Sequence, residues 1–101
     1  MSSMDSRDVQ IALIGYGLAG SVFHAPLIST TPGMQLAAIV TGNQDRVDLA
    51  RRMHPGADVF ATPEQLWDKG GVDCVVIATP NITHAPLALA AISHGVAVVV
   101  D

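Results

Sequence analysis

An apolar segment, Val9-Gln10-Ile11-Ala12-Leu13-Ile14, runs directly into Gly15-Tyr16-Gly17-Leu18-Ala19-Gly20. A G-x-G-x-x-G turn that leaves a strand and opens a helix is a dinucleotide-binding fingerprint; outside that context it would read as an ordinary loop. The first glycine permits the tight turn, the second lets backbone N–H groups approach a pyrophosphate, and the third lets the helix pack closely on the strand. The helix N-terminus then faces the phosphate charge.

The rest of the chain repeats this plan. Apolar strands are expected at 9–14, 35–40, 58–61, 73–78 and 96–100, with helical stretches between them. Their centres are continuous apolar runs, as in strands covered on both faces. The first helix carries Leu18, Val22 and Phe23 and should kink or split at Pro26, which lacks a backbone donor. The second helix is expected from Asp45 to Met53, with Asp45 as its cap and Val47, Leu49, Ala50 and Met53 inward. Thr62-Pro63-Glu64-Gln65 combines a capping box with proline at the first helical position, so a short third helix ends before Gly70-Gly71. The last, about Thr83 to His94, should turn Leu87, Ala88, Ala91 and Ile92 to the sheet and stop at Gly95. Right-handed crossovers then give an α/β, Rossmann-type doubly wound parallel sheet of strand order 3-2-1-4-5, with ligand across the ends of the first and fourth strands.

A chain of 101 residues, half of them hydrophobic, holds one domain at most. Residues 1–8 read as a disordered leader and residues 9–101 as the nucleotide-binding domain. The net charge of −4 offers no basic field for nucleic acid or an anionic membrane, and no apolar run approaches a bilayer span. One cysteine, Cys74, allows no internal disulfide, which favours a cytoplasmic setting and a buried, inert thiol. Four scattered histidines without ligand spacing give no metal site. His94 suits a helix C-terminus, His54 a loop, and Trp67 with Leu66 a packing anchor. No nucleophile elbow or acid pair supports hydrolysis.

Taken together, Val9 to Gly20, Phe23-His24-Ala25-Pro26-Leu27-Ile28, Ala78-Thr79-Pro80-Asn81-Ile82-Thr83-His84 and the final Gly95-Val96-Ala97-Val98-Val99-Val100-Asp101 resemble the N-terminal domain of the Gfo/Idh/MocA oxidoreductases. The resemblance implies that Gly15, Tyr16, Gly17 and Leu18 line the pyrophosphate. It implies that Thr79, Pro80 and Asn81 lie along the nicotinamide and its ribose, with His84 beside them and Asp101 meeting the ribose. A plain strand-to-helix turn with local hydroxyl and amide caps is the alternative for Thr79–Asn81. In that family an acidic residue at the position of Asp101 is followed by Lys-Pro, the lysine being the usual catalytic residue. The chain therefore looks like a fragment, truncated after the fifth strand and before its catalytic lysine and its C-terminal substrate domain. It is expected to be inactive alone and to associate through an unpaired fifth-strand edge. His24 has two readings, a pocket residue or a packing histidine of the kinked helix.

The cofactor's 2′-group is decided at the end of the second strand, where an NAD site usually places a carboxylate. Thr41-Gly42-Asn43 stands there instead, with Arg46 a turn later. A hydroxyl, an amide and a guanidinium suit a 2′-phosphate, so NADP is favoured over NAD, while Arg46 reads equally as a solvated surface arginine. Two functional classes follow: an NAD(P)-dependent oxidoreductase of a sugar, inositol or related polyol, forming a homo-oligomer, or a non-catalytic dinucleotide-binding sensor on the same fold.

Overall fold

In the computed structural model, which describes residues 8–17 and 19–101, five parallel strands form one sheet in the order β3-β2-β1-β4-β5. The strands are β1 (Val9–Ile14), β2 (Met34–Val40), β3 (Asp58–Phe60), β4 (Cys74–Ile77) and β5 (Ala97–Val100). The helices are α1 (Ala25–Thr30), α2 (Gln44–Met53), α3 (Pro63–Lys69) and α4 (His84–Ser93). The order is the one that right-handed crossovers dictate, and it reverses between β1 and β4. Residues 1–7 and Leu18 lie outside the described residues, so the expected leader and one expected pyrophosphate residue are not placed.

Two apolar layers cover the sheet. On one face Ile11, Leu13, Ile39 and Val76 pack with Tyr16, Ala25, Ile28 and Ala50; on the other Ala12, Ile14, Val40, Val75 and Ile77 pack with Leu66 and Ala91. Alternate residues of β1 supply both layers, so its continuous apolar run is satisfied on two sides. The β1–β2 register shifts between Ile11 and Ala12, a local irregularity in an otherwise in-step ladder. At the β5 edge, Val99 and Val100 are exposed.

The predicted break in the first helix takes a specific form. Residues Ala19–His24 make a wide π-helical turn, and the chain tightens into α1 at Ala25, with Pro26 in its first turn, where no intrahelical donor is required. α3 starts on the capping box, Gln65 N–H donating to Thr62 Oγ1 at 3.3 Å and Gln65 Oε1 accepting from Thr62 N–H at 3.3 Å. Trp67 stacks on His94 with ring centroids 5.0 Å apart and planes 12° from parallel, tying α3 to the end of α4. Gly95 takes the positive φ of a helix stop, 74°.

Three local expectations need correction. Asn43, not Asp45, caps α2: its backbone is extended at φ −91°, ψ 124°, and its Oδ1 accepts from Arg46 N–H at 3.1 Å, while Asp45 sits in the first turn. Met53 and Ile92, expected inward, are 63% exposed, because each lies in the last turn of its helix, past the part that the sheet covers. α4 begins at His84 after a 3₁₀ turn at Asn81–Thr83, one residue later than expected.

Candidate functional site

The carboxyl ends of β1, β2, β4 and β5 open onto one cleft of about 820 Å³ at the point where the strand order reverses. Its floor is the turn Gly15-Tyr16-Gly17. One end is formed by Thr41, Gly42, Asn43 and Arg46, and the other by Ala78, Thr79, Pro80, Thr83 and Asp101.

Two of the glycines, Gly15 and Gly20, are demanded by contact, whereas a Cβ on Gly17 would meet nothing nearer than Arg46 at 3.7 Å. Gly15 has φ +103°, and a Cβ there would come within 2.9 Å of the Ala78 carbonyl oxygen and 3.0 Å of Thr79 Cγ2. A Cβ on Gly20 would overrun the Gly15 carbonyl oxygen and stand 3.1 Å from its carbon. Gly15 N–H donates to Val40 O at 2.8 Å and Ser21 N–H to Gly17 O at 2.8 Å, which bind the turn to β2 and to the helical turn behind it. At Gly15 and Gly17, which line the cleft, only backbone is presented, and the Tyr16 side chain is buried in the core. That fits a pyrophosphate.

Tyr16 contributes to the floor, but its ring is 97% buried in the core, where burial pushes the phenol pKa up. His54, at the end of α2, meets that ring edge-on at 6.0 Å, and burial lowers its imidazole pKa.

At the β2 end, Thr41 is almost closed off, with its N–H donating to Phe60 O at 2.9 Å. Asn43 uses its side-chain oxygen as the α2 cap, which leaves its amide N–H groups as donors toward a ligand. The Arg46 guanidinium reaches across to the glycine turn: its terminal nitrogen would lie 3.7 Å from a Cβ on Gly17. Arg46 is exposed to solvent and lines the cleft beside the glycine turn.

At the β4 end, the hydroxyls of Thr79 and Thr83 lie 2.6 Å apart, and Thr83 donates to Pro80 O at 2.8 Å. These bonds use the hydroxyls to hold the turn, which is the local-cap reading of the sequence, while Thr79 and Pro80 also line the cleft. The side chain of Asn81 lies outside the described residues. His84 is the first residue of α4, and its Nε2 is bound to the carbonyl oxygen of cleft-lining Thr79 at 2.6 Å. That bond braces the turn that carries Thr79 and Pro80. Asp101 N–H donates to Ile77 O at 3.0 Å, and its carboxylate pairs with His24, Nε2 to Oδ2 3.3 Å. Local pattern could not reveal that pair, because its members are 77 positions apart in the sequence.

Cys74 is half-buried; burial, and then the charge of Asp73, raise its thiol pKa, which is the character of an unreactive cysteine. Among the described residues no group of His, Cys, Asp and Glu could hold a metal ion, and no helix is long and apolar enough to cross a membrane.

Residues 9–101 match the sequence profile of the Gfo/Idh/MocA oxidoreductases, described as an oxidoreductase family with an NAD-binding Rossmann fold. An uncharacterised oxidoreductase of Escherichia coli K12, YdgJ, is 44% identical over 95% of the chain and 27% of its own length. The scyllo-inositol 2-dehydrogenase (NADP(+)) IolW of Bacillus subtilis 168 is 31% identical over 92% of the chain and 25% of its own length. The crystal structure of GenD2 from gentamicin A biosynthesis, in complex with NAD, superposes with a TM-score of 0.82 at 34% identity, over 93% of this chain and 26% of that one. The chain thus spans about a quarter of the length of the relatives it matches.

Proposed function

The chain belongs to the Gfo/Idh/MocA oxidoreductase family and carries its NAD-binding Rossmann fold, and from that premise we propose that it is the cofactor-holding part of an NAD(P)-dependent dehydrogenase of a sugar, inositol or related polyol. The observation that carries the reading is the cleft at the strand-order reversal, floored by bare glycine backbone and flanked by polar groups at both ends.

In this reading Gly15, Tyr16 and Gly17 offer backbone N–H groups to the pyrophosphate. Thr79, Pro80 and Asn81 run along the nicotinamide half, and Asp101 accepts from its ribose. When bound, the nicotinamide supplies the hydride chemistry; the residues of this chain bind and orient it. No residue of these 101 is assigned a proton-transfer or substrate-recognition role in this reading, and by themselves they are expected to show no turnover. The inositol dehydrogenase IolW supports the polyol class.

The cofactor preference we propose is NADP. No carboxylate stands at the end of β2; the Asn43 amide and the Arg46 guanidinium are the donors there, with Arg46 beside the glycine turn. A charge-assisted hydrogen bond contributes roughly 1.5–3 kcal/mol, so a preference on the order of tenfold is expected. Fluorescence titration with NADPH and NADH tests this. Arg46→Ala should weaken NADPH and leave NADH nearly unchanged, and Thr41→Asp should reverse the order. Tighter NADH binding by the wild type would reject the preference, and no binding of either cofactor would reject the reading itself.

A further inference from the structure

His24 and Asp101 join two walls of the cleft that the sequence supplies separately. Asp101 continues β5, where its N–H is fixed to Ile77 O, while its side chain is about half exposed and borders the cleft. His24 ends the π-helical turn that follows the glycine loop, and its ring is largely covered. A π turn holds more residues than an α turn, so the residue that ends it points in a different direction from the one a regular helix would give. Here that direction brings Nε2 within 3.3 Å of Asp101 Oδ2.

We propose that His24 is a positioning residue for dinucleotide binding: its ring takes one oxygen of Asp101 and so holds the other as an acceptor toward the nicotinamide end of the cleft. The inference rests on the proposed role of Asp101 in that site. A half-exposed carboxylate samples several rotamers, and one fixed by a hydrogen-bonded neighbour loses less freedom when a ribose hydroxyl arrives. His24 need not touch the ligand. In the neutral ring Nε2 carries the proton and Nδ1 does not, so the required tautomer is defined.

The geometry selects the variants. A glutamine amide nitrogen reaches about as far as imidazole Nε2, whereas an asparagine amide stops near Nδ1. Affinities for NADPH and NADH are measured by fluorescence titration for wild type, His24→Ala, His24→Asn, His24→Gln, Asp101→Asn and the double variant His24→Ala/Asp101→Asn. His24→Ala and His24→Asn should weaken binding about threefold to tenfold, as expected for a partly exposed charge-assisted contact. His24→Gln should restore most of the affinity. In the Asp101→Asn background, removal of His24 should cost little more, because the two act as one unit. A purely structural histidine would be expected to give losses that follow thermal stability and add to those of Asp101→Asn. Wild-type affinity in His24→Ala, no rescue by glutamine, or additive losses would each overturn the proposal while leaving dinucleotide binding intact. Failure of the wild type to bind would instead reject the functional reading beneath it.

Discussion

Replacing Gly20 by alanine is the sharpest test of how the glycine turn is built. In most helical positions the change would stabilise by roughly 0.4–1 kcal/mol, through the reduced entropy of the unfolded chain. Here the new methyl would overrun the Gly15 carbonyl oxygen, stand 3.1 Å from its carbon and touch Leu13 Cδ2 at 3.5 Å. The obstacle is backbone, and that backbone is tied to β2 through the bond from Gly15 N–H to Val40 O. Neither side can yield without moving the helical turn off β1. Overpacking of this kind costs about 1–3 kcal/mol, and the upper end applies because no flexible side chain absorbs it. Net of the entropic gain, a loss of about 2 kcal/mol is expected, which lowers Tm by about 8–16 °C in a domain of this size. Because the displaced group is the proposed pyrophosphate floor, dinucleotide affinity should fall in the same variant. Gly56→Ala is the internal control: it has open space around its Cβ direction and no positive φ, so it should be neutral or slightly stabilising. Circular-dichroism melting and cofactor titration of both variants give the comparison. A Gly20→Ala protein that melts at or above the wild type and binds dinucleotide equally well would refute the close-approach argument.

Thr62→Ala should lower stability by about 0.5–2 kcal/mol in denaturant titration through loss of the α3 capping box. Met53→Gln should stay within about 0.5 kcal/mol of wild type, while Leu66→Ala, at a fully buried site, should cost about 2–5 kcal/mol. Burial holds the His54 pKa below its ordinary value, so the unfolded chain takes the proton first; this contribution is complete above the ordinary imidazole range and declines as pH falls through it. His54→Gln should flatten that part of the stability–pH curve. Cys74 has the opposite sign: its raised pKa means that the unfolded thiol ionises first, so stability falls as pH rises past the ordinary thiol range, and the native protein should react slowly with a disulfide reagent near neutral pH.

The elements that the sequence discloses are those set by short-range rules. All five strands lie within a residue or two of expectation, because continuous β-branched and aliphatic runs separated by glycine, proline and caps leave little choice. The sheet order followed from crossover handedness together with the doubly wound plan that the strand, glycine turn and helix imply. What local pattern could not resolve depends on where one element ends against another. Met53 and Ile92 continue an apolar helical period, yet the sheet stops short of both. Asn43 and Asp45 are both good caps, and only the extended backbone at Asn43 decides between them. At the candidate site, residues 15–17, Thr41, Arg46 and Thr79, singled out by type, spacing and family resemblance, all line the one cleft. The pairing of His24 with Asp101 was not legible, since it depends on the distance between segments that meet only after folding.

The Trp67–His94 stack has an optical consequence. Trp67 is the sole tryptophan of the chain, and it is not among the cleft residues. Its emission is therefore a built-in reporter of one layer, responding when α3 separates from the end of α4. The fluorescence of a bound reduced nicotinamide would report the opposite end of the strands. Recorded together during unfolding, the two signals distinguish loss of the cradle from loss of the helical layer that covers the sheet, with no label added to the protein.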